Sequence, residues 1–131
     1  MKRDDDLVRT VLLLIEERGL GPNSEIQNFD VAGQDARKLN YHVWLLFDGG
    51  YIHTIRTRGF DAAGEAYDLF VPCCLTFRGQ EFLNSVRDSE VWRQTREAAQ
   101  RSGAASLDLL GKLAVSFLKK QIKERTGVEL E

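Results

Sequence analysis

Twice between residues 51 and 71 the sequence abandons helical period and alternates, first over residues 51–57 and again over 67–71, with a glycine-bounded loop, residues 59–64, between the two runs. Alternating β-branched and aromatic residues on both sides of a short loop predict an antiparallel β-hairpin. An isolated hairpin cannot bury its apolar face alone. The long segments on either side of this one have helical period, so helices must supply the other wall of the core and the chain is expected to be α+β.

Before the hairpin, Leu7, Val8, Val11, Leu12 and Ile15 recur at helical spacing, with Asp4, Asp5 and Asp6 at the end where a helix dipole favours acids and Gly19 where the helix should stop. The breaker Gly21-Pro22-Asn23-Ser24 follows, and residues 26–31 then alternate imperfectly, predicting a short edge strand. From Gln34 the period is helical again. Leu39, His42, Val43, Leu46 and Phe47 make one face, and Gly49-Gly50 ends the helix.

After the hairpin, Thr76 is placed to cap a helix running to Arg87, with Phe77, Phe82, Leu83 and Val86 on its buried side. Residues 89–101 are helix-compatible and Ser102-Gly103 breaks them. Ser106 opens a long amphipathic stretch with Leu109, Leu110, Leu113, Phe117, Leu118 and Ile122 as its stripe. The order helix, short strand, helix, hairpin, helix predicts a winged helix-turn-helix-like core over residues 1–88. The hairpin is then the wing, and residues 89–131 form a helical C-terminal extension packed on the core or on a partner. At 131 residues and 43% hydrophobic content the chain can bury one ordinary core, so a single domain is expected.

Three stretches, MKRDDDLVRTVLLLIEE, YHVWLLFDGGYI and LTFRGQEFLNSVRDSEVW, together resemble the bacterial and prophage proteins grouped as domain of unknown function family 2513. The most specific parts are the MKRD start and a signature carried here by Leu75, Thr76, Gly79, Phe82, Leu83, Arg87 and Trp92. The chain departs from the pattern at Phe77 and Gln80, where members resemble LTWxGH, and at Tyr51, where they tend to carry an aliphatic residue. The resemblance implies a winged-helix-like fold and no particular chemistry.

Charge excludes one class of behaviour. Charged residues are 29% of the chain but leave a formal charge of only −2, so no global field draws it to nucleic acid or acidic membranes, and any such contact needs a local patch. No run approaches the roughly 20 apolar residues of a membrane span, and the acidic start is unlike a secretory signal, which points to a cytoplasmic protein. Cys73 and Cys74 are adjacent and predicted to be reduced thiols, and with His42 and His53 they lack metal-ligand spacing, so no metal and no cofactor are expected. Neither a nucleophile beside a base nor a phosphate-cradling glycine loop occurs, and no catalytic residue is expected.

Polar residues that read bases gather instead on the helix before the hairpin: Gln34, Arg37, Lys38, Asn40 and Tyr41, with Arg56 and Arg58 on the wing. Residues 34–58 hold four basic against two acidic side chains. This patch predicts a regulator of transcription that binds double-stranded DNA as a dimer. The competing expectation, favoured by an isoelectric point near 5.7, is a protein-interaction adaptor without DNA affinity. For either, Trp44, outside the apolar face of its helix, and Leu110, Leu113 and Phe117 are candidates for a homodimer or partner interface. The basic cluster Lys119, Lys120, Lys123 and Arg125 complements the C-terminal end of its helix.

Overall fold

The computed structural model describes residues 1–103 and 105–131. Its helices are α1 (Asp5–Arg18), α2 (Ala36–Asp48), α3 (Phe77–Val86), α4 (Ser89–Ser102) and α5 (Leu107–Thr126), and its strands are β1 (Ile52–Phe60) and β2 (Ala66–Leu75). The fold is therefore α+β with one two-stranded antiparallel sheet. Backbone contacts divide the chain into two compact units, Met1–Gln80 and Glu81–Glu131, a division that falls inside α3.

In the first unit, α1 starts where Asp4 Oδ1 accepts the Leu7 N–H at 3.1 Å, and it stops at Gly19, whose N–H returns to the Ile15 carbonyl. Its predicted stripe of Leu7, Val8, Val11, Leu12 and Ile15 is fully buried, joined by Leu39, Val43 and Leu46 of α2 and by Tyr51 and Ile52 at the start of β1. Burying these side chains, at about 1.5–3 kcal/mol each, is the main driving force for assembling the unit. A Cβ on Gly19 would lie 2.8 Å from the Cys73 carbonyl oxygen, so the end of α1 approaches β2 more closely than any other residue permits.

The hairpin pairs Ile52 with Leu75 and His53 with Cys74, then Thr54 with Pro72 and on in register to Phe60 with Ala66. Cys73 is thus the extra residue of a β-bulge, and it is completely buried. Thr76 caps α3 as expected: its Oγ1 accepts the Gly79 N–H at 3.1 Å and donates to the Gly50 carbonyl at 2.6 Å.

The edge strand expected over residues 26–31 is not formed. Ile26 gives one ladder-like bond, its N–H to the Pro72 carbonyl at 2.9 Å, after which the chain turns through Asn28 at φ 53°. The next edge groups of β2 are already taken. The Asn40 amide donates to the Asp68 carbonyl and accepts the Phe70 N–H, both at 2.9 Å, so one side chain stands where two residues of a third strand would pair.

In the second unit Asp88 caps α4, its Oδ1 accepting from the N–H groups of Glu90 and Val91 at 3.0 Å each, and Ser106 caps α5 through the Leu109 N–H. The two helices pack on each other. Leu110 and Ala114 of α5 are buried, Leu113, Phe117, Leu118 and Ile122 are half-buried, and Leu109 is exposed. Much of the apolar stripe is therefore out of water without any partner chain.

Of the family-signature residues, Gly79 has the clearest physical reason. A Cβ there would fall 1.9 Å from the Tyr51 carbonyl oxygen, which also accepts the Thr76 N–H, so only glycine lets the first turn of α3 lie on the chain entering β1. Gly79→Ala is expected to lose about 1–3 kcal/mol or more of unfolding free energy. Gly21→Ala, which meets nothing within 4 Å, should stay within about 0.5 kcal/mol of the parent. Urea unfolding of the two variants side by side measures this.

Candidate interaction surface

The surface predicted to read DNA is the solvent side of α2 with the adjoining hairpin, all within the first unit. Asp35 opens α2 by accepting the Lys38 N–H at 3.1 Å, which places residues 37–41 in the first turns as expected. Their side chains are largely occupied. Lys38 Nζ donates to Asp4 Oδ2 at 2.8 Å, and Asn40 is spent on the edge of β2. Arg37 reaches Asp61 at 3.2 Å, and Asp61 Oδ1 accepts the N–H groups of Ala63 and Glu65, so the arginine is tied to the turn at the tip of the hairpin.

Asp4 is the residue that sequence reasoning under-read. Its carboxylate caps α1 and pairs with Lys38, while its own N–H donates to His42 Nε2 at 2.8 Å. The His42 ring is fully buried, and Nδ1 lies 2.7 Å from the Lys38 carbonyl. Because Nε2 must accept, the proton resides on Nδ1 and donates to that carbonyl. A single histidine thus satisfies one orphan donor ahead of α1 and one carbonyl of α2, joining the two helices through backbone groups. The signal for its burial was its place on the apolar face of α2; nothing local marked Asp4 as its partner.

The hydrogen bond from Lys38 holds the Asp4 carboxyl below its ordinary value, with the Leu7 N–H acting in the same direction against partial burial. The Asp61 carboxyl is lowered as well, first by the Glu65 N–H. Burial pushes both thiols, Cys73 and Cys74, upward, so they stand protonated at neutral pH and are poor nucleophiles. Among the described residues no three His, Cys, Asp or Glu side chains gather as a metal site would require, and no helix is long and apolar enough to cross a membrane.

The other predicted site residues are placed as follows. Gln34 and Tyr41 are half-buried, and the Tyr41 ring packs between His42 and Trp44, with centroids 5.7 and 5.8 Å away. Trp44 is half-buried, not outward. Arg56 and Arg58 are exposed on β1, with Asp68 directly across the sheet from Arg58. Of the residues considered for a partner interface, Leu110 is fully buried, and Leu113 and Phe117 are half-buried on α5. Beside the edge of β2 lies an open cleft of about 310 Å³ between the 25–30 loop, α2 and β2, lined by Leu39, Val43, Leu69 and Val71 with Asn40 and Tyr67.

A hairpin fastened to a helix pair defines a small α+β protein. The chain belongs to the family described as "Hypothetical protein (DUF2513)", whose model matches residues 2–105. An "Uncharacterized protein" of Haemophilus influenzae is 27% identical over 123 residues, spanning 93% of this chain and 99% of that protein. No solved structure gives a significant match.

Two outcomes follow. Asn40→Ala leaves two edge groups of β2 without their partner and should cost about 1–3 kcal/mol, whereas Arg58→Ala should change stability by no more than about 0.5 kcal/mol; thermal or urea unfolding distinguishes them. The native state favours the Asp4 carboxylate, so the stabilisation from its pairing is present above the ordinary carboxylate value near 3.8 and is lost as pH falls below it. Lys38→Met removes the largest cause of that shift. Its acid unfolding should be less dependent on Asp4, and the Asp4 titration followed by NMR should move up towards the ordinary value.

Proposed function

We propose that the protein is a non-enzymatic protein-interaction module on a winged-helix core, in which the hairpin after α2 is the wing and the Asn40 amide with Ile26 replaces the usual third strand. The observation that carries this reading is the double engagement of Asn40. Asn reads adenine by presenting both its amide donor and its acceptor to the base, and here both face β2. Lys38 is held by Asp4 in the same way. The unit Met1–Gln80, which carries the whole candidate surface, holds nine Lys and Arg against twelve Asp and Glu. Such a balance opposes the counterion release that drives DNA binding. Aromatic residues are enriched where proteins meet, and Phe60 and Phe77 are 63% and 81% exposed.

A second reading, a DNA-binding regulator, has one observation in its favour: Arg37, Arg56 and Arg58 are exposed, Arg37 with 74% of its side chain in solvent despite its ion pair. These are phosphate-contacting positions at best, without base readout. Titration against a genomic DNA pool at low and at physiological salt separates the two. The interaction-module reading expects no affinity at either salt. Binding at low salt that falls steeply as salt rises would overturn it and restore the regulator.

A further inference from the structure

The two edges of the hairpin are treated differently. On β2 the outward groups are met by this chain: the Asp68 carbonyl and Phe70 N–H by Asn40, and the Pro72 carbonyl by the Ile26 N–H. Residues opposite one another in an antiparallel pair point their N–H and C=O the same way, both inward or both outward. Phe70 and Asp68 point outward on β2, so their partners Arg56 and Arg58 point outward on β1, as does Thr54 opposite Pro72. The bond from the Asp61 N–H to the Glu65 carbonyl has the complementary parity and fixes the same phase at the other end. Among the described residues nothing meets the outward backbone groups of Thr54, Arg56 or Arg58, and Arg56, Thr57, Arg58 and Phe60 are all exposed.

We propose that this open edge of β1 is a β-augmentation site for an extended acidic segment of a partner protein. The proposal rests on the interaction-module reading and names its partner. An edge with three successive outward residues is a template for another strand. Arg56 and Arg58 stand on one face of it two residues apart, the spacing at which a paired strand presents alternate side chains. Acidic residues at alternate positions of the incoming strand would therefore lie beside them. A second copy of this chain is a poor occupant. In the registers that overlap the three outward residues most fully, antiparallel pairing of β1 with itself sets Arg56 against Arg56 or against Arg58, and like charges directly opposite are destabilising.

The probe is a blocked peptide, Thr-Glu-Val-Glu-Val-Thr, with its lysine counterpart Thr-Lys-Val-Lys-Val-Thr as control, added to the full chain and read by amide hydrogen exchange and NMR shifts. The acidic peptide should slow exchange of the Thr54, Arg56 and Arg58 amides, and the lysine peptide should not. The double variant Arg56→Glu/Arg58→Glu should bind the acidic peptide about tenfold more weakly, from two cross-strand pairs reversed. Arg56→Pro should abolish binding while leaving the fold, because the N–H it removes is not used in the hairpin. The exchange measurement on the parent chain stands even if either variant unfolds. No protection, or equal protection by both peptides, overturns the edge site; without DNA affinity, that result leaves the interaction-module reading in place. A DNA duplex that shifts Arg56 and Arg58 in a salt-dependent way, with the peptides inert, overturns both.

Discussion

The Asn40 amide on the edge of β2 is the contact on which the first unit depends. A two-stranded sheet has no independent stability, and α2 brings to it one side chain that imitates a strand, donating and accepting at the same 2.9 Å. This fixes the height of α2 along the hairpin to a single residue, because Asp68 and Phe70 are the only adjacent outward residues whose groups it meets. Apolar packing between α2 and β2 could slide; a pair of directional bonds cannot. The Phe47 ring, stacked 6.1 Å from Phe70, and the Arg37 bond to Asp61 then fall into place at either end of the helix.

The second constraint lies between α1 and α2 and has the same character. His42 and Lys38 sit one turn apart and both address Asp4, the first through its backbone and the second through its carboxylate. A buried ring nitrogen left without a partner would be costly, so the start of α1 is positioned by polar satisfaction as well as by its leucine and valine stripe. The MKRD beginning of the chain owes its physical meaning to this junction.

What was legible in the sequence was the order of the elements and most of their buried faces, although Phe77, expected by spacing on the buried side of α3, is 81% exposed. The hairpin, the five helices, the cap at Thr76, the stop at Gly19 and the burial of His42 all follow from spacing and from residue types at element ends. The strand over residues 26–31 was misjudged because the Asn40 side chain, on the helix that follows, competes for the same edge, and alternation carries no record of that competitor. The residues expected to read DNA share a type, and type is indifferent to whether an amide faces solvent or a strand. Arg37, Lys38 and Asn40 have the chemistry of readers, but their partners Asp61, Asp4 and Phe70 come from segments distant in sequence.

The buried bulge at Cys73 has a consequence for how the chain can change. By adding one residue to β2 alone, it sets two consecutive β2 residues against one residue of β1, after which the pairing resumes with His53 opposite Cys74 and Ile52 opposite Leu75. Deleting any one residue between Pro72 and Leu75 would remove the bulge, and with it the local bend that seats Cys73 in the core and its carbonyl beside Gly19. Residues 62–64 at the tip lie beyond the last cross-strand bond, from the Asp61 N–H to the Glu65 carbonyl, and can gain or lose length without disturbing the ladder. Length variation should therefore be found at the tip of the hairpin and not at its base, however freely the side chains of the two strands are exchanged.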